Sequence, residues 1–537
     1  MGSKRRVLIV GAGISGLGAI KSCLEEGLEP VCLEQFDDIG GIWYYTEGYR
    51  EGQGARAFDN LTTNSPKGLF CFSDFPHPED YPPFLTHELV HQYLNLYSEK
   101  FDLRKYIHFK TKVRHIWKSG DYDVTGKWEV EATDASKTVY RDVYDCVIVC
   151  SGFSDARIPE VDGLETFEGT VEHSKTFKDG TRYTGKRVLV VGTGNSAGDM
   201  AVTASHVAKQ VYLSVGRGTY IIPRLLKGGQ PLGYVTQRRC NVRNNTTLSN
   251  VICEIANSRL DHTAAGVTNG VDKVPDLTMM INDFIYQQIA CGRVKIAGRL
   301  MRVGKNEAEF EDGTVLKDID TILFATGYSL GQRFLPEEAK GGKDKLYLYK
   351  MTFPLTLPHH TLALIGSFQS AATVLALVEV QGRLAARVLS GKHKLPPYNV
   401  MMKDVDRWNQ HVLQSFGCYK YKIPNLKIRD EMAAELGVSP SWWDLIKAGP
   451  RLAYLYYYGP AFPYYYRLWG PHAWDGARDA IEAALTEGYL SKPVGRNKHL
   501  PPQTGCSRAT VGLSCFVAMV IVTLWKYLGM RCCWLSF

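Results

Sequence analysis

A chain of 537 residues is too long for one ordinary hydrophobic core, so two or more domains are expected. With 45% hydrophobic and 22% charged residues and 51 glycines it reads as globular, which excludes the disordered and fibrous classes. The net charge of +8 is the small difference between 63 basic and 55 acidic residues spread along the chain, with no basic block to track a phosphate backbone, so no nucleic-acid partner is expected.

Lys4-Arg5-Arg6 leads straight into Val7-Leu8-Ile9-Val10, an apolar run too short for a signal peptide, and Arg6 stands where a myristoylation pattern wants Ser or Thr. The run reads as a buried strand ending in Gly11-Ala12-Gly13-Ile14-Ser15-Gly16, after which Leu17 to Glu26 continue at helical spacing. This is the opening of a βαβ unit. Gly11 allows the tight turn, Gly13 lets backbone approach a pyrophosphate, Gly16 lets helix and strand pack closely, and the helix N-terminus attracts phosphate charge. A second strand over 30–33 ends in Glu34, placed to grip ribose hydroxyls and repel a 2′-phosphate, so with its neighbour Gln35 it points to FAD or NAD and not NADP. Gly40-Gly41-Ile42-Trp43 follow as a flexible turn whose aromatic suits an isoalloxazine ring.

Further on, Lys186 to Val191 form a second buried-strand pattern closed by Gly192-Thr193-Gly194-Asn195-Ser196-Ala197-Gly198-Asp199. Ala197 in the third position of this G-x-G-x-x-A turn still keeps helix and strand close. The next strand, from Gln210, runs into Ser214-Val215-Gly216-Arg217, with no carboxylate where Glu34 stands in the first unit. Arg217 can pair with a 2′-phosphate, with Arg224 near enough in sequence to assist, so the second dinucleotide is NADPH. A largely helical excursion is expected over about 225–298; its apolar residues Ile252, Ile255, Leu277, Ile281, Phe284 and Ile285 are read as core by default, with a membrane-facing role open. Asp320 to Tyr328 read as a strand returning from this insertion, with Gly327 turning the chain back. The aromatics between Trp442 and Trp469 fit either an interfacial belt or a packed cluster. From Ala509 to Trp525 no residue is charged, and with extension to Met530 the stretch reaches spanning length, so a tail anchor is expected, with a buried terminal helix as the alternative. Cys532 and Cys533 beyond it are weak candidates for acylation.

The 13 cysteines include no C-x-x-C pair and no metal-ligand spacing with histidine, which implies a reducing compartment, no metal and no dithiol relay for electrons.

Several stretches resemble the flavin-containing monooxygenases. Phe167-Glu168-Gly169-Thr170-Val171-Glu172-His173-Ser174-Lys175-Thr176-Phe177 is similar to that family's F-x-G-x-x-x-H-x-x-x-F/Y fingerprint. Leu61-Thr62-Thr63-Asn64, Cys71 to Pro76 and Phe324-Ala325-Thr326-Gly327-Tyr328 extend the likeness over essentially the whole chain, closest to the microsomal animal branch, whereas 45–60 and 225–277 match poorly. The resemblance implies an α/β fold of two Rossmann-like domains: an FAD-binding domain over 1–153 and 324–445, an NADPH-binding domain over 154–323, an aromatic-rich region over 446–505, and a transmembrane or membrane-associated helix over 509–530. It also implies a place on the endoplasmic reticulum membrane with the catalytic domains facing the cytosol, and it leaves a homo-oligomer open. The implied reaction passes hydride from NADPH to the flavin, then oxygen through a C4a-hydroperoxyflavin to a soft nitrogen or sulfur atom of a small molecule. Thr63 and Asn64 would lie at the flavin, where the Asn64 amide can hydrogen-bond the peroxide or nicotinamide, a turn cap being its bland alternative. His173 is read as a structural histidine shaping the interdomain hinge. Baeyer-Villiger oxidation of ketones is the nearest rival, although the fingerprint here continues as Phe177-Lys178 and lacks that class's Trp; release of hydrogen peroxide as an NADPH oxidase is another.

Overall fold

The computed structural model describes residues 4–486 apart from 243–244, 269–277, 343–344, 371–372, 417–421 and 424. The expected anchor over 509–530, Cys532, Cys533, the stretch 487–505 and Leu277 therefore lie outside the described residues.

Two parallel five-stranded sheets organise the chain. In the first, the strands lie in the order Leu362–Leu364, Cys146–Val149, Arg6–Val10, Glu29–Leu33 and Ile107–His108, each paired parallel to the next. Val7, Leu8 and Ile9 are fully buried, as an interior strand covered on both faces must be. Helix Ile14–Glu26 connects the first two strands and packs against helix Val374–Leu389, which comes from the far end of the chain. The second sheet repeats the plan in the order Val294–Ala297, Gln210–Ser214, Arg187–Val191, Thr321–Phe324 and Thr170–His173, again all parallel, with helix Asn195–Ser205 as its first crossover. In parallel sheets of this kind ligands settle beyond the carboxyl ends of the central strands, which are where the two glycine turns stand.

The passages between the sheets run side by side. Phe153–Ala156, leaving the first sheet, pairs antiparallel with Tyr328–Leu330, returning from the second. A two-stranded ribbon is thus the link between the two units.

Where the sequence predicts a largely helical excursion over about 225–298, the structure differs in its second half. Helices Leu232–Thr236, Arg239–Val242 and Asn245–Asn257 occupy the first part. Strand Thr278–Ile281 then returns to pair with Thr219–Ile222, and Val294–Ala297 is an edge strand of the second sheet itself. A four-residue run such as Val-Lys-Ile-Ala carries no mark of the sheet it will join, because parallel pairing is decided by distant partners. Ile252, Ile285 and Met280 are buried in this region, whereas Phe284 is exposed.

The aromatic stretch divides between its two readings. Tyr456, Tyr464, Tyr465 and Tyr466 are buried in the main core, and Arg239 lies 3.8 Å over the Tyr456 ring. Trp442 and Trp443, on helix Trp442–Ala448, are 62% and 71% exposed. Among the described residues no helix is long and apolar enough to cross a membrane.

Candidate functional site

At the first glycine turn, the Gly11 amide donates to Leu33 O and the backbone takes φ +99°, where a Cβ would also stand 2.9 Å from Cys150 O. A Cβ on Gly16 would come within 1.9 Å of Gly11 O, so only glycine lets the helix start this close to the strand. Glu34 is buried and its carboxylate is shared: Oε2 accepts from Ala12 N at 2.7 Å and Oε1 from Phe36 N at 2.9 Å. Burial pushes this carboxyl up while the amides of Ala12, Phe36 and Gln35 pull it down. The carboxylate oxygens keep acceptor capacity for ribose hydroxyls beyond these amides. The Gln35 amide reaches Gly52 O at 3.4 Å. The turn carrying Ile42 and Trp43 docks on the glycine turn through Gly40 N to Ala12 O, 3.0 Å, and Trp43 meets Phe70 edge-on at 5.5 Å.

Thr63 is locked in both directions, its amide donating to Leu85 O at 2.8 Å and its hydroxyl accepting from Leu85 N at 2.9 Å. Asn64 follows directly. Its Oδ1 is buried with no hydrogen-bond partner, and so is the Ser151 hydroxyl oxygen just past the strand Cys146–Val149. Buried polar atoms of this kind cost about 1–3 kcal/mol while unsatisfied, and no described residue takes up the hydrogen-bonding capacity of these two.

The second turn has the same frame. Gly192 N donates to Ser214 O at 3.0 Å, Ala197 is buried, and a Cβ on Gly194 would meet nothing within 4 Å, leaving the approach to the helix start clear. Neither helix carries a side-chain cap at its first turn, so the orphan amides at both N-termini are free for pyrophosphate oxygens. Both turns therefore fit a dinucleotide. Ser196 is exposed, as is Arg217, which no described residue pairs. Asn195 and Asp199 are turned elsewhere: Asn195 Oδ1 accepts from Ile281 N and Asp199 Oδ1 from Asn282 Nδ2, both at 2.8 Å. Burial pushes the Asp199 carboxyl up to about 6, against the pull of Arg224 and Asn282.

Arg224, near enough to Arg217 in sequence to assist it, has partners of its own within the protein. It is 9% exposed, ion-paired to Asp283 at 3.0 Å, and its Nε donates to Thr63 O at 3.3 Å. A guanidinium already forked between a carboxylate and a carbonyl is committed.

His173 is satisfied by backbone on both ring nitrogens. Nδ1 accepts from Lys175 N at 3.2 Å and Nε2 donates to Gly327 O at 3.1 Å, while its ring stands edge-on to Tyr328. With burial lowering its pKa, the ring is neutral and ties the fingerprint to the returning ribbon. Sequence reasoning missed Asp283 and Ser151, neither of which carries a local motif, and it missed the contact of Arg224 with Thr63 O. It also missed a cavity of about 710 Å³ lined by Trp43, Tyr45, Asp59, His87 and His91; the four-residue spacing of His87, His91 and Asn95 on helix His87–Lys100 is the signal that marks its far wall.

A model of the flavin-binding monooxygenase-like family matches residues 4–526. Flavin-containing monooxygenase 5 of Cavia porcellus is 37% identical over 530 residues, covering 97% of this chain and 98% of that one. Dimethylaniline monooxygenase (N-oxide-forming) 4 of Homo sapiens is 38% identical over 488 residues, covering 89% and 87%. Among solved structures, S-allyl-L-cysteine S-oxygenase from Allium sativum aligns with a TM-score of 0.62 at 21% identity, covering 89% of this chain and 99% of that one. NADP+-bound cyclohexanone monooxygenase from Rhodococcus sp. Phi1 aligns at 0.58 and 16%, covering 81% and 98%. At those identities the two structures speak for the fold alone, the α/β flavoprotein monooxygenase fold.

Proposed function

The chain belongs to the flavin-containing monooxygenase family, and from that premise we propose how its parts serve a monooxygenase that takes FAD and NADPH and oxygenates heteroatoms. The observation that carries the division of labour is the opposite chemistry beyond two equivalent strands: a buried carboxylate, Glu34, in one unit and an exposed guanidinium, Arg217, in the other. The turn 11–16 with Glu34 and Gln35 holds the adenosine end of FAD, and Ile42, Trp43 and Thr63 lie on its ring side. The turn 192–199 takes the NADPH pyrophosphate, and Arg217 takes its 2′-phosphate. The FAD domain is then split over 1–153 and 324–445, with the NADPH domain inserted over 154–323.

Bound FAD supplies the redox centre that accepts hydride from NADPH and activates dioxygen. The chain itself binds, orients and excludes water. Asn64 presents its amide, whose Oδ1 is unsatisfied within the protein, at the oxygenation centre. The substrate is a small molecule with a soft nitrogen or sulfur nucleophile, a reading supported by the N-oxide-forming relative. The stretch over 509–530, uncharged from Ala509 to Trp525, and the exposed Trp442, Trp443 and Ile446 support a seat on the endoplasmic reticulum membrane with the catalytic domains on the cytosolic side.

The test is NADPH consumption by the FAD-loaded protein, measured with product and peroxide detection on a thioether or tertiary amine. Asn64→Asp is expected to keep its flavin and lose oxygenated product, with NADPH diverted to hydrogen peroxide. Normal substrate turnover by that variant removes Asn64 from the role.

A further inference from the structure

The peptide that presents Asn64 is held from the second nucleotide unit. On one side, Arg224 Nε donates to Thr63 O at 3.3 Å. Arg224 is anchored in turn by Asp283, through Nη1 to Oδ2 at 3.0 Å and its own amide to Oδ1 at 2.8 Å. Asn282, the neighbour of Asp283, donates from Nδ2 to Asp199 Oδ1 on helix Asn195–Ser205, and Ile281 N donates to Asn195 Oδ1 at the first residue of that helix. Hydrogen bonds at both ends of the backbone segment 281–283 thus connect the helix start that faces the second nucleotide to the carbonyl just before Asn64. On the other side, Gln237 Nε2 donates to Thr373 Oγ1 at 3.2 Å, and Thr373 donates to Ser65 Oγ at 2.8 Å. Asn64 therefore sits between two braces, both rooted in the excursion that follows Thr219–Ile222. The Arg224 charge also restrains Asp199, whose carboxyl burial pushes up to about 6.

We infer that Arg224 is a positioning residue that transmits occupancy of the second nucleotide site to Asn64. This rests on the role assigned to Asn64 above. A ligand on the helix start stiffens Asn195 and Asp199, these fix the segment 281–283, and the Asp283–Arg224 fork then holds the Thr63 carbonyl. The fork is what the link requires: a lysine ammonium could pair with Asp283 but has no second planar donor for the carbonyl.

The experiment is amide hydrogen exchange over residues 60–66 in the FAD-loaded protein, with and without NADP+, alongside peroxide released per NADPH oxidised. In the parent, NADP+ should slow exchange over 60–66 by about fivefold or more, the low end of ordinary site-to-site coupling. Arg224→Gln should lose that response and release more peroxide, with the rate of flavin reduction unchanged, and Arg224→Lys should not restore it. Asp283→Asn weakens the same fork with little change of shape and should reduce the response, so the link remains readable if Arg224→Gln fails to fold. Exchange over 60–66 indifferent to NADP+ in the parent, or an Asp283→Asn or Arg224→Gln protein that responds like the parent, overturns the link. If instead Asn64→Asp turns over substrate normally while the exchange response stands, it is the role of Asn64 that fails.

Discussion

Glu34 and Arg217 stand just beyond the second strand of two units built to one plan, and they differ in burial as well as charge. The carboxylate is held in place by the amides of Ala12 and Phe36 before any ligand arrives, so it is pre-set for neutral ribose hydroxyls. The guanidinium is exposed and unpaired among the described residues, so a phosphate dianion would not have to displace a carboxylate to reach it. A carboxylate in this place repels a 2′-phosphate, whereas a guanidinium attracts one. In the proposed site Arg217 is the group set against the 2′-phosphate, while Arg224 is bound to Asp283 and Thr63. Arg217→Ala should then lower the NADPH-to-NADH preference in kcat/KM by about tenfold to a hundredfold, the value of one charge-assisted contact. Steady-state rates with the two coenzymes measure it, and an unchanged ratio withdraws the assignment of Arg217.

Among the elements, helix Ile14–Glu26 has a functional start and a structural end. Its last turn carries Glu25, which meets Lys21 at 2.5 Å and Arg467 at 2.9 Å. Arg467 is 2% exposed and also reaches Asp74 at 2.9 Å and Glu379 of helix Val374–Leu389 at 3.4 Å, so one guanidinium joins both helices to the C-terminal region. Burial alone would raise the Glu25 carboxyl, but Arg467 and Lys21 prevail and hold it at about 2. With the folded value below the unfolded one, this contribution is present above pH of about 4 and is lost as pH falls toward about 2. Glu379 works in the opposite sense, since burial raises it. Arg467→Met should destabilise the protein by about 3–5 kcal/mol at neutral pH, because it removes the ion pair of buried Glu379 and leaves Lys21 alone to serve both Glu25 and Asp74. Denaturant unfolding should show the gap between parent and variant narrowing as pH drops from 5 to 3; a variant within 1 kcal/mol of the parent at pH 7 would deny the network that weight. Nothing in the sequence marks this cluster, whose members lie 442 positions apart at Arg467 and Glu25. The glycine turns were legible because strand, turn and helix follow each other within about a dozen residues and each glycine answers a local steric demand. His173 was legible through its fingerprint spacing, although the partner that explains it, Gly327, is 154 positions away. Thr278–Ile281 and Val294–Ala297 were not, since their pairing with Thr219–Ile222 and Gln210–Ser214 is a choice among sheets that no short apolar run encodes.

Over the whole molecule, the described core reaches into the aromatic stretch between Trp442 and Trp469. Tyr464, Tyr465, Tyr466 and Ile481 are buried against the first unit, and Arg239 with Asp430 pins Tyr466 from the other side. What remains outward on helix Trp442–Ala448 is an apolar face, with Trp442, Trp443 and Ile446 at 62%, 71% and 64% exposure, capped by Ser441 and Asp444 in a reciprocal hydrogen-bonded box. Two exposed tryptophans on one short helix suit the headgroup region, where their rings are half wetted. The proposed membrane seat then divides into two separable contributions to be tested, a strong one expected from 509–530 and a weak one from this face. A chain ending at residue 486 should retain FAD and oxidise NADPH, and should leave the membrane pellet on washing with high salt, whereas the full chain should stay in it. The shortened protein should still bind anionic vesicles weakly, and Trp442→Ser with Trp443→Ser should reduce that binding by about tenfold, equivalent to roughly 1.4 kcal/mol of partial apolar burial. Sedimentation with vesicles measures both. Retention of the shortened chain in the washed pellet would place the main attachment within residues 4–486, and equal vesicle binding by the double variant would move the weak contribution off the tryptophan face.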